Sequence, residues 1–127
     1  MTREQPRAWS AGELAALDDA PLIRLAPERA DGSLAPAVPV GHVRLGSDEL
    51  VRSLNVTAGA WYRAATRSGR GRIEVGRRRI AVRFIPDTGR EAEIDGALRS
   101  RYGDDAGVRA MTRPPARDAN LRIVPID

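Results

Sequence analysis

Apolar positions along this 127-residue chain fall into short runs with two different periods. Alternation with period two marks a strand with one buried face, whereas recurrence every three or four residues marks a helix. Ile80, Val82 and Phe84 alternate with Ala81, Arg83 and Ile85, which predicts a half-buried strand over 79–85. Similar runs predict strands over 22–28, 37–45, 49–54, 72–75 and 120–126. Asp31-Gly32, Gly46-Ser47-Asp48 and Gly76-Arg77-Arg78 supply tight turns, which join antiparallel neighbours.

Helices fit between these runs. Ser10-Ala11-Gly12-Glu13 reads as a capping box opening a short helix with Leu14 and Leu17 on its apolar edge. Thr57 is an N-cap candidate for a helix over roughly 58–67, in which Trp61, Ala64, Ala65 and Ser68 share a face. Gly69 and Gly71 would end it. Thr88-Gly89-Arg90-Glu91 reads as a second capping box, followed by Ile94, Leu98 and Tyr102 at intervals of four. Ala110–Thr112 reads as a further helical turn. The pattern predicts one α+β domain over 1–127, with residues 1–8 as a loose arm. About six short antiparallel strands with flanking short helices make a small barrel or sheet.

Composition narrows the chemistry. All 21 basic residues are Arg, there is no Cys, and His42 is the only His. Lysine Schiff bases, thiol catalysis, disulfides and multi-histidine or cysteine metal sites are therefore excluded. His42 is the one side chain with an unperturbed titration near neutrality, and a lone His in a strand is usually structural. Any catalysis would draw its reactivity from a bound cofactor or from the substrate. The first 14 residues hold no apolar signal segment, and no run matches a membrane span, so a cytoplasmic location is expected.

Charge is unevenly spread although the net value is only +4. Residues 63–83 hold eight Arg against Glu74, and residues 87–105 hold six acids against three Arg. Neutralisation of one segment by the other, within the fold or across a dimer, would argue against nucleic-acid binding through the Arg-rich hairpin.

The segment 49–84 holds the strongest candidate site. A strand runs into a Ser/Thr loop and then a helix N-terminus, whose unpaired N–H groups and positive dipole end suit phosphate. The Ser53 and Thr57 hydroxyls would donate to phosphate oxygens, and Arg52 and Arg63 would add bidentate contacts. Trp61 or Tyr62 would wall a flat ring; adjacent helix positions point about 100° apart, so only one can do so.

Four segments together resemble an uncharacterised bacterial family related to the split-barrel flavin-binding proteins. They are LIRLAPERADGSLAPAVPV, DELVRSLNVTAGAWYRAATRSGRGRI, ALRSRYG and PPARDANLRIVP. That superfamily includes pyridoxamine-phosphate oxidase-like proteins and deazaflavin-dependent nitroreductases. The resemblance implies a small antiparallel split β-barrel, a homodimer, and an FMN or deazaflavin cofactor at the subunit seam. It also implies a possible oxidoreductase activity. It places Arg29 and Ser33 in a basic turn, and Ser53, Trp61 and Tyr62 in a second cofactor block. Ala64 stands where the nitroreductase pattern has Asn, and the chain lacks the oxidase branch's Lys. A cofactor-free barrel acting as a binding module is the alternative expectation.

Overall fold

In the computed structural model, which describes residues 5–53 and 60–127, seven antiparallel strands form one nearly closed barrel. The strands are β1 (Leu22–Pro27), β2 (Val38–Gly41), β3 (Val43–Leu45), β4 (Asp48–Arg52), β5 (Arg70–Val75), β6 (Arg78–Pro86) and β7 (Asn120–Pro125). Their order is β2-β1-β5-β6-β7-β4-β3. The helices are α1 (Ala11–Asp19), α2 (Ala60–Ser68), α3 (Glu91–Tyr102) and α4 (Ala106–Met111), with a 3-10 turn at Ala116–Asp118. The α+β barrel expected from the pattern is thus the observed architecture.

One expected strand, 37–45, is two strands, and this break closes the barrel. β2 pairs with β1 and β3 pairs with β4, so the two edge strands of the sheet are joined through His42 alone. Neither backbone polar group of His42 enters a ladder. Its N–H donates to the Tyr102 hydroxyl at 2.9 Å, and its carbonyl lies 3.0 Å from the same oxygen. Gly41 leaves room for that contact, since a Cβ there would sit 3.2 Å from the hydroxyl. Tyr102, on α3, therefore substitutes for a strand partner where the chain changes partners.

The barrel wall has a core on each side. Val51, Ile73, Val82, Phe84, Leu121 and Ile123 point inward and pack with Ala65 of α2 and Leu17 of α1. On the outer side, Leu50 and Val43 pack under Ile94 and Leu98 of α3 and Val108 of α4. The pairings Leu50↔Arg122 and Val51↔Leu121 show the alternation that separates the two faces. The outer faces of β1, β5, β6 and β7 therefore extend beyond the patch that α3 covers.

Of the two capping boxes expected from the sequence, one forms. The Ser10 capping box forms, with Glu13 N–H on Ser10 Oγ at 3.1 Å and Ser10 N–H on Glu13 Oε1 at 2.8 Å. The second box does not. Arg90 occupies the N-cap of α3 without a side-chain cap, held between Asp87 at 2.6 Å and Asp48 at 3.1 Å. The turn expected at 110–112 is the end of α4, which Asp105 caps through the Val108 N–H. From Pro6 the N-terminal arm is pinned, not loose: Pro6 bridges Ile126, Arg7 N–H donates to the Pro125 carbonyl, and the Arg7 guanidinium grips both Glu13 oxygens at 2.8 Å.

Gly69 ends α2 with φ +71°, but Gly71 lies inside β5. Its Cβ would meet the Ala26 carbonyl at 2.4 Å, Phe84 Cε2 at 2.8 Å and Pro27 Cα at 2.9 Å. Two of those three are backbone atoms, so the strands cannot yield cheaply. Gly71→Ala is expected to cost about 1–3 kcal/mol by overpacking, read by urea denaturation. Gly46→Ala is the comparison: it is strained only by φ +60°, with open space around it.

The Arg7 hydrogen bonds hold the Glu13 carboxyl at about 2, against the opposing effect of burial. The folded value lies below the unfolded one, so this stabilisation is present above about pH 4.5 and is lost as pH falls toward 2. Glu13→Gln should therefore lower the melting temperature at pH 7 and leave it nearly unchanged at pH 2.

Candidate functional site

Helix α2 carries residues Ala60, Arg63, Ala64 and Arg67 at i, i+3, i+4 and i+7, which places them on one stripe. That stripe faces the hairpin between β1 and β2 across a cleft of about 470 Å³. Arg29 from the hairpin stands opposite Arg63 and Arg67, and Trp61 forms part of the apolar wall with Pro27 and Val38. Among the described residues, no acid lines the cleft. The volume falls within the range of about 300–1,000 Å³ usual for small-ligand sites.

Three of the sequence-predicted residues, Arg29, Trp61 and Arg63, thus come together here. Arg67 was missed, although its position four residues after Arg63 was the signal that could have found it. Tyr62 does not line the cleft; it meets Trp61 edge-on, with ring centroids 6.0 Å apart and an interplanar angle of 88°. Both rings are half-buried and pack on the inner core, so Trp61 serves core and cleft together. Ala64, a small residue on the stripe, borders the cleft. Thr57 lies outside the described residues.

Arg52 and Ser53 are placed elsewhere. Arg52 is only 3% exposed, and its guanidinium lies beneath α3 and α4. It donates to Asn120 Oδ1 at 2.6 Å, Asp95 Oδ1 at 2.6 Å, the Met111 carbonyl at 2.9 Å and the Glu91 carbonyl at 3.3 Å. With these donors committed, Arg52 ties β4 to three other elements and does not face the cleft. Burial would push the Asp95 carboxyl up, but hydrogen bonds from Arg117 and Arg52 outweigh it and hold the group below the usual range. Ser53 is buried, and its Oγ has no hydrogen-bond partner among the described residues.

His42 is also structural. It is 1% exposed, with Nδ1 at 2.5 Å from Glu49 Oε2 and Nε2 at 2.7 Å from the Ala20 carbonyl. Arg44 supplies a further hydrogen bond to Glu49 at 3.0 Å. This network borders a second cleft, of about 410 Å³, beside Trp9. Two of that cleft's arginines, Arg7 and Arg44, are already paired with Glu13 and Glu49, which makes it a poorer anion site than the α2 cleft.

The chain belongs to the bacterial family described as "Uncharacterized protein conserved in bacteria (DUF2255)", whose model matches residues 13–123. No curated protein matches it by sequence. Its fold is the split barrel, shared with several solved structures. A conserved hypothetical protein of Mycobacterium tuberculosis superposes with a TM-score of 0.61 at 11% identity, covering 98% of this chain and 84% of the other. ChuZ of Campylobacter jejuni gives 0.59 at 13% identity over 91% of this chain, which spans about half of that protein (51%). A FAD-binding protein of Mesorhizobium loti gives 0.52 at 19% identity, covering 95% and 92% of the two chains.

The Arg52 network makes a stability prediction separate from any ligand. Asp95→Ala leaves a buried, unpaired guanidinium and should cost about 3–5 kcal/mol. Arg117→Ala removes the more exposed partner of the same carboxylate and should cost much less. Equilibrium denaturation of the two variants checks the order.

Proposed function

We propose that the α2 cleft binds a flat, anionic cofactor of the flavin type. The observation that carries this reading is the meeting of Arg29, Arg63 and Arg67 with Trp61 in one cleft, with no acid among its described lining residues. Guanidinium groups offer paired donors to phosphate oxygens, and an indole offers a face for a ring system. The donor set fits a phosphorylated isoalloxazine or deazaflavin: anion contacts on two sides of the cleft, an apolar wall between them, and small side chains at Ala60 and Ala64. The FAD-binding neighbour supports the same class by fold.

In this reading the cofactor supplies hydride or electron transfer, which makes the protein an oxidoreductase without a catalytic side chain of its own. The residues of this chain bind and orient: Arg63 and Arg67 hold the anionic tail from α2, Arg29 closes on it from the hairpin, and Trp61 covers the ring. Among the described residues, the cleft has lining only from α2 and from the end of β1 through the hairpin to β2. A second copy seated there would complete it, so a homodimer with the cofactor at the seam belongs to the same proposal.

The test is the absorbance spectrum of the purified protein, with thermal shifts on adding FMN, FAD or a deazaflavin. Binding should quench Trp61 fluorescence. Arg63→Ala should weaken affinity at least about tenfold, a loss of roughly 1.4 kcal/mol, without changing the stability of the free protein. A colourless protein that no flavin or deazaflavin stabilises would refute the reading and leave the barrel as a cofactor-free binding module.

A further inference from the structure

The outward positions of four neighbouring strands form a second arginine-rich surface, separate from the α2 cleft. Strand alternation turns Arg24 of β1, Arg72 of β5, Arg79 and Arg83 of β6, and Arg122 of β7 to the same side. Glu74 is the one acid at an outward position on these strands.

These arginines are poorly compensated. Arg24 reaches Glu74 at 4.0 Å, Arg72 reaches Glu74 at 3.7 Å and Arg122 reaches Asp48 at 3.8 Å. All three pairs are too long for hydrogen bonds. Several ion pairs elsewhere close to 2.6–2.9 Å, as in Arg52–Asp95, Arg90–Asp87, Arg7–Glu13 and Arg44–Asp18. The Nε atoms of Arg72 and Arg122 are buried with no hydrogen-bond partner among the described residues. Arg79 and Arg83 make no hydrogen bond or ion pair there either. The acidic segment 87–105 does not neutralise this face: Asp87 is spent on Arg90, and Asp95 on Arg52 and Arg117.

From this array we infer that the outer face of β1, β5, β6 and β7 is a docking surface for the phosphodiester backbone of nucleic acid. A protein partner would call for a desolvated apolar centre, and a membrane for an apolar anchor. On this face Ile85 and Val124 are half-buried among the arginines and form neither an exposed apolar centre nor an anchor. Leu22, at one end of β1, is the only exposed large hydrophobic residue among the described ones. The ligand it suits is a polyanion with regularly repeated charges, contacted through phosphate oxygens. No aromatic residue stands at an outward position on the four strands, so bases would not be stacked and binding would be independent of sequence. The inference does not rest on the cofactor reading, because none of these arginines lines the α2 cleft.

The experiment is fluorescence anisotropy with a short labelled DNA duplex of random sequence, titrated at several salt concentrations. Binding should weaken steeply between about 50 and 200 mM salt. The double variant R79S/R83S should bind more weakly and reduce the slope of log affinity against log salt by about two. The control R109S/R113S removes the same charge from α4 and the residues after it, and should leave affinity and slope near the parent values. Absence of duplex binding at low salt, or an equal loss in both double variants, overturns the inference. Displacement of the duplex by poly-glutamate as readily as by unlabelled DNA at equal charge also overturns it, in favour of an acidic protein partner.

Discussion

The barrel depends on the change of strand partner at His42. One residue separates β2 from β3, yet these strands sit at opposite edges of the sheet order. That residue must leave both ladders and still have its backbone groups satisfied in a buried place. The Tyr102 hydroxyl meets both of them, and Glu49 and the Ala20 carbonyl meet the imidazole. Everything else follows from this closure. The inner core is sealed by the wall it creates, and α3 is held against the outside of that wall by Tyr102 together with Ile94 and Leu98. The lone histidine, expected from the sequence to be structural, is here a corner post.

Much of the fold was legible because strand alternation and turn glycines act over a few residues. β6 and β7 were read nearly to their ends, and the α1 capping box formed as written. What was missed depends on contacts distant in sequence. Nothing near 37–45 announces that a tyrosine sixty residues later interrupts the strand. Thr88 does not cap α3, because the helix begins at Glu91 with Arg90 at its N-cap, and the Glu91 carboxylate accepts from the Gly89 N–H. Gly71 looked like a helix stop because its need for a bare Cα comes from Ala26 and Pro27 on another strand.

The candidate site shows the same division. Arg63 was read from its place near the helix N-terminus, Arg29 only from the family resemblance, and the i, i+4 spacing from Arg63 is the signal that points to Arg67. Arg52 has the same side chain and lies next to the loop, but a two-residue period puts it on the outer side of β4 with Leu50. There Asp95 and Asn120 hold it. Residue type suggested an anion contact; the parity of the strand decided that the anion is an aspartate of the same chain.

Every cation in the cleft and on the outer sheet face is a guanidinium. Such a group cannot be deprotonated in proteins, and it offers no amine for acetylation. Neither surface can therefore be turned off by a rise in pH or by the acyl modifications that silence lysine. Occupancy of both is left to ligand concentration and ionic strength, which makes this a protein whose electrostatic surfaces are always on.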